Sequence, residues 1–206
     1  QGEFDHARTL AGRSRSIFEE LGLHMETARL GMDTSAIERL AGNLEGAVTE
    51  LRRAYDALDA VGERFALSTV SGFLAETLLE LDELEEASRF CDRSRELATP
   101  ADIASQALWR YVRGRILARR GAPEEAEAIV REAIGLLDAT DAVTYQIEAS
   151  VALGEALVAA GRPDAAREAL IVARSRAEQK GGVVILSGVL RRIEDLDAAQ
   201  ATRETV

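Results

Sequence analysis

The stretch Gly114-Arg-Ile-Leu-Ala-Arg-Arg-Gly121-Ala-Pro-Glu-Glu-Ala126 reads as the end of one helix, a Gly-Ala-Pro break and the start of a second helix. It recurs as Gly154-Glu-Ala-Leu-Val-Ala-Ala-Gly161-Arg-Pro-Asp-Ala-Ala166. Looser copies are Leu40-Ala-Gly42-Asn-Leu-Glu-Gly-Ala47, Leu81-Asp82-Glu-Leu-Glu-Glu-Ala87 and Gly2-Glu-Phe-Asp-His-Ala7. The anchoring alanines are Ala7, Ala47, Ala87, Ala126 and Ala166, at steps of 40, 40, 39 and 40. A fixed period of this size is the signature of stacked supersecondary units. It implies an all-α fold, a solenoid of stacked antiparallel helix pairs.

Working outward, residues 3–21 carry Phe4, Ala7, Leu10, Ala11, Ile17, Phe18 and Leu21 at helical spacing and end at Gly22. They read as the second helix of a half repeat, units 1–22, so the sequence looks like a piece of a longer protein. Full units follow at 23–62, 63–99, 100–139 and 140–181, and a helix over 183–196 caps the stack. Thr99-Pro100-Ala101-Asp102 has the residue types of a helix start, with Thr as the cap and Pro at the first position. Thr140-Asp141 caps the next unit, Pro123 and Pro163 open second helices, and Lys180-Gly181-Gly182 closes the last. Residues 197–206 are polar and read as a frayed tail. With no strand pattern or Ser/Gly linker, 1–196 reads as a single domain.

Composition excludes several classes. The net charge is −11, so a surface for polyphosphate is disfavoured and no nucleic-acid partner is expected. No apolar run approaches the roughly 18 residues of a membrane span, so no membrane partner is expected. The single cysteine, Cys91, permits no internal disulfide, and this points to a reducing, cytoplasmic setting. Arg is used almost to the exclusion of Lys, with Lys180 alone, and Ala is abundant, a composition of GC-rich bacterial genomes.

Small residues recur in register, twelve before each anchor (Ser35, Ala75, Gly114, Gly154) and seven after it (Ser14, Ala54, Ser94, Ala133, Ala173). Small side chains at matched points let two helices approach closely. This pattern resembles the tetratricopeptide repeat (TPR), best in Gly114, Gly121, Ala126, Ala133 and in Gly154, Gly161, Ala166, Ala173. Two departures are a period near 40, which implies longer helices, and Asp82 in place of a turn glycine. Ser68-Thr69, Leu74-Ala75, Trp109-Arg110, Leu117 to Gly121, Thr140-Asp141 and Lys180-Gly181 are similar to the C-terminal TPR-like region of actinobacterial multidomain regulators. In those proteins a nucleotide-cyclase or LuxR-type module and an ATPase module precede the repeats. The resemblance implies a right-handed superhelical solenoid whose first helices line the concave side, serving as a non-catalytic protein-interaction and regulatory module, a fragment of a bacterial signalling or transcriptional regulator. The alternative is a sensor that takes a peptide or small molecule in the concave groove.

Candidate chemistry is sparse. His6 and His24 lack a second His or Cys at metal-ligand spacing, so neither a metal nor a cofactor is expected. No phosphate loop is present, and Glu83, Glu85 and Glu86 read as complements to a helix dipole rather than paired catalytic carboxylates, so no catalytic residue is assigned. Cys91 reads as a buried thiol and Trp109 as filler between units. Glu204-Thr205-Val206 has the form of a C-terminal peptide ligand, a reading set aside for a frayed tail. Arg113, where other units carry Leu74 and Leu153, requires an ion partner or solvent. Residues eleven before each anchor, Ala36, Glu76, Arg115 and Glu155, are expected on the concave face as an acid–base–acid ladder. With Arg110, Tyr111 and Glu148 they form the candidate binding surface for a protein or peptide partner or for other domains of the parent chain. The uncovered first half repeat predicts weak self-association.

Overall fold

A computed structural model of the protein describes residues 3–204. Among these it holds ten α-helices and no strand. They are α1 (Phe4–Glu20), α2 (His24–Leu40), α3 (Leu44–Ala60), α4 (Arg64–Glu80) and α5 (Leu84–Leu97). There follow α6 (Ile103–Arg119), α7 (Pro123–Leu137), α8 (Val143–Ala159), α9 (Pro163–Lys180) and α10 (Val183–Glu204). Gly2, where the first repeat copy begins, and the terminal Thr205 and Val206 lie outside the described residues.

Most of the helices end by one repeated device. After α2, Gly42 adopts φ 81° and Asn43 N–H donates to Glu38 O at 2.9 Å, a bond that satisfies a carbonyl of the last turn. The Asn43 side chain then accepts from Gly46 N–H and opens α3. After α4 the same left-handed position falls to Asp82, at φ 64°, the sole non-glycine with positive φ among the described residues. Pro123 and Pro163 are the first residues of α7 and α9, where a missing N–H costs nothing.

Contacts divide the chain into two compact units, Gly2–Ser105 and Gln106–Val206. Repeats that pack only on their neighbours share no common core, so a division of this kind follows from the architecture itself. In the N-terminal unit α2 packs on α3, α4 on both α3 and α5, and α1 on α2. A Cβ added at Gly31 would stand 3.0 Å from Ala54 Cβ, so α2 and α3 touch there through small residues. In the C-terminal unit α8 packs on α7 and α9, and α9 on α10, around Ile147, Val151, Leu157, Leu170, Val189 and Ile193. Ala47, Ala87, Ala126 and Ala166 are fully buried, whereas Ala7 is half-buried because the outer face of α1 carries no helix.

Three sequence expectations are corrected. The cap of α6 is Asp102, which accepts from Ser105 N–H at 3.1 Å, and Thr99 and Pro100 lie before the helix in the connection. The residue before α8 is Ala142, while Thr140 uses its hydroxyl to bridge Leu137 O and Ala142 N–H within the preceding turn. The tail expected from residue 197 is instead helical to Glu204. Ala198, Ala199 and Ala201 favour the helix, and Asp197 and Gln200 tie it to Arg167 and Asp164 of α9.

Candidate functional site

Charged residues on the first helices of neighbouring repeats form ion pairs. Arg115 of α6 donates Nε to Glu155 Oε2 at 2.8 Å and Nη2 to Oε1 at 3.1 Å, a two-pronged contact with α8. Arg192 of α10 approaches the same carboxylate at 3.7 Å. Burial works to raise the Glu155 carboxyl, but the guanidinium groups of Arg115, Arg192 and Arg119 outweigh it and hold it below the usual range. In the N-terminal unit Arg39 of α2 donates to Glu76 at 2.8 Å and also meets Glu80, both on α4. The expected Arg115–Glu155 pairing is present, and Glu76 takes Arg39 from the preceding repeat.

Burial corrects the expected binding surface. Glu76 and Tyr111 are each 1% exposed and Arg115 is 3% exposed, so none of the three is presented to a partner. Tyr111 is among the largest fully buried side chains, used as filler in a chain with few aromatics. The charged pair at Arg115 tolerates burial because both guanidinium edges in contact are satisfied. Arg110, Glu148 and Glu155 remain partly exposed, as does Arg113, which solvent reaches.

Trp109, expected as filler, is partly buried. Its Nε1–H donates to Gln106 Oε1 at 3.2 Å, and the Arg110 guanidinium lies over its ring, 4.2 Å from the centroid. Arg110 is held there by Gln106 O at 2.8 Å and by Glu132 of α7 at 3.1 Å. The result is an ordered aromatic and cationic patch on α6. Cys91 is fully buried on the α5 seam.

Two apolar surfaces went unnoticed or only partly noticed in the sequence. On α1, Ala7, Leu10, Ser14, Ile17 and Leu21 follow at steps of three and four residues, which places them on one face. Leu10, Ile17 and Leu21 are exposed there. At the α3–α4 turn, Val61 and Phe65 are also exposed and stand over an open depression of about 590 Å³ with Met25 and Leu97. The sequence signal was Phe65 itself, a large apolar residue one place before the buried run of Ala66, Leu67 and Val70.

Among the described residues no group of three or more His, Cys, Asp or Glu could hold a metal ion. No described helix is long and apolar enough to cross a membrane.

Residues 108–132 and 147–170, in α6–α7 and α8–α9, match the tetratricopeptide repeat family. No curated protein matches the sequence. Several solved structures share the fold. BtubC (BKLC) from P. vanneervenii superposes with a TM-score of 0.62 at 14% identity, over 97% of this chain and 92% of that one. The nearly identical TPR-like repeats of a Podosopora anserina chain classed as a kinesin light chain give 0.55 at 16% identity, over 86% and 89%. A signal transduction ATPase with numerous domains (STAND) with a tetratricopeptide repeat sensor, from Pyrococcus horikoshii, gives 0.59 at 14% identity. That match covers 98% of this chain but 33% of the larger protein. The chain therefore has the all-α fold of TPR-like helical-repeat proteins, and parts of α6–α7 and α8–α9 match the tetratricopeptide repeat family.

Proposed function

We propose that this chain is a non-catalytic protein-interaction module with a regulatory role in a larger bacterial signalling or transcriptional regulator. The observation that carries the reading is the surface itself. Ordered helix pairs present exposed apolar and charged groups in open, shallow arrangements suited to another polypeptide. The similarity to a STAND protein with a repeat sensor supports a regulatory setting, as does the resemblance to actinobacterial multidomain regulators. Within the C-terminal unit the proposed contact surface includes Arg110 and Glu148, with Trp109 beside them. A small-molecule sensor is the second reading, and the depression at Phe65 favours it least, because an open hollow does not enclose a ligand as small-molecule sites do.

Affinity capture with the chain immobilised, run beside native mass spectrometry, separates the two. Capture of a protein at defined stoichiometry, weakened by Arg110→Glu with Trp109→Ala, is the expected result. A stoichiometric small molecule in the native spectrum, with capture unaffected by those substitutions, would overturn it.

A further inference from the structure

The two units differ in charge. Residues 1–105 hold 21 acidic and 11 basic side chains, a net of −10, whereas residues 106–206 hold 15 and 14, a net of −1. The negative field of the molecule therefore arises almost wholly in the N-terminal unit. The same unit carries the apolar depression, with Leu97 as its buried floor and Met25, Val61 and Phe65 around it. Val61 and Phe65 are 57% and 58% exposed.

The turn that carries Phe65 is held in place. Glu63 accepts from Phe65 N–H at 3.3 Å and from Ala66 N–H at 2.6 Å, which fixes the turn into α4 and the root of the Phe65 side chain. Ordered aromatic side chains at the surface cost little entropy to engage and serve as anchors in interfaces. Exposed acidic residues lie next to them in the sequence. Exposed Glu26 follows Met25, exposed Glu96 precedes Leu97, and exposed Asp59 stands two residues before Val61. Asp59 and Glu96 share one guanidinium, Arg93, at 3.7 and 3.9 Å, contacts too long to be strong hydrogen bonds. Glu63 and Arg64 both line the depression. An acidic partner, or a second copy with the same −10 unit, would meet like charge at this edge.

We propose that this edge docks a basic amphipathic segment of a partner protein, which seats a large apolar side chain among Met25, Val61, Phe65 and Leu97 and sets Arg or Lys against Glu26, Asp59 and Glu96. The inference rests on the protein-interaction reading and adds to it the place and the partner's chemistry.

Three synthetic amphipathic peptides test it, sharing one stripe of Leu and Phe and differing only in Lys, Gln or Glu at the polar positions. Fluorescence anisotropy with the full chain is expected to show the Lys peptide binding, and doing so less tightly as salt is raised. The Gln peptide binds more weakly and the Glu peptide not at all. The double variant Val61→Ser with Phe65→Ser alters exposed side chains, so its helical content is retained, and it weakens the Lys peptide about tenfold or more. Val172→Ser, an exposed valine of the C-terminal unit, leaves binding unchanged. Wild-type affinity in the double variant, or equal binding of all three peptides, overturns the proposal. So would self-association of the chain that the double variant abolishes. Capture of a partner through the C-terminal unit alongside such a failure would overturn this site and leave the broader reading standing.

Discussion

Gly114→Ala is the sharpest perturbation of the repeat packing. A Cβ at that position would stand 2.2 Å from Val130 Cγ2 and 3.1 Å from Ala126 O. Ordinary carbon contacts lie at about 3.5–4.0 Å, so the methyl overlaps Val130 by more than 1 Å. Valine in a helix has one strongly preferred rotamer, and the second contact is backbone, so neither neighbour yields readily. Overpacking of this kind costs about 1–3 kcal/mol, here toward the upper end. The gain in helix propensity from Gly to Ala returns about 1 kcal/mol. The expected net loss is about 1–2 kcal/mol. Gly154→Ala meets Leu170 at 3.1 Å through a side chain that can shift, so cost and gain nearly cancel. Gly135 in α7 has nothing within 4 Å of an added Cβ, and Gly135→Ala stabilises by about 0.5–1 kcal/mol. The assay is urea unfolding followed by Trp109 fluorescence, since the single tryptophan lies in the same unit as all three glycines. Val130→Ala in the Gly114→Ala background should cost at least about 1 kcal/mol less than in the wild type, because it removes the clash. A neutral Gly114→Ala, or strict additivity with Val130→Ala, would refute the close approach of α6 and α7.

Glu38 is held below the usual carboxylate range first by the Arg8 hydrogen bond, against burial, with help from Asn43. A carboxyl whose folded value is depressed stabilises above its unfolded value and loses that contribution as pH falls through the folded value. Unfolding midpoints should therefore drop below about pH 4.5, and Glu38→Gln should flatten the drop; an unchanged slope would sever the link. Cys91 is fully buried, so thiol labelling of the folded chain should be slow and should accelerate in denaturant. Gly121 sits at φ 79°, and Gly121→Ala should destabilise by about 1 kcal/mol, measured in the same urea assay. Sedimentation at rising concentration should reveal weak self-association through α1, and Leu10→Ser with Ile17→Ser should suppress it.

Much of the fold was written in spacing. The anchors placed most helix ends within a residue or two, because glycine turns and alanine seams demand small residues whatever the surrounding composition. Asp82 stood out as the departure and does take the left-handed turn position. The α6 start was misread because Thr99 and Asp102 both have capping chemistry within one tetrapeptide. The deciding signal lay at a distance, in the repeat register. α2, α4 and α8 begin at 24, 64 and 143, and the same steps place α6 at 103, with Asp102 before it.

The site was harder to read because polarity was taken for exposure. Position eleven before the anchor holds exposed Ala36, buried Glu76 and Arg115, and part-exposed Glu155. Opposite charge from the adjoining helix lets Glu76 and Arg115 lie buried there, and a sequence window does not show which charges will meet. Phe65 is the converse case. It belongs to the residue types of a core, yet the Glu63 cap fixes the turn that leaves it outside the buried face of α4. In a stacked repeat, then, paired charges lie inward along the first helices while apolar groups stand outward at a turn. A partner that reads this chain by hydrophobic contact must reach those turns, and one that reads charge is drawn first to the N-terminal unit.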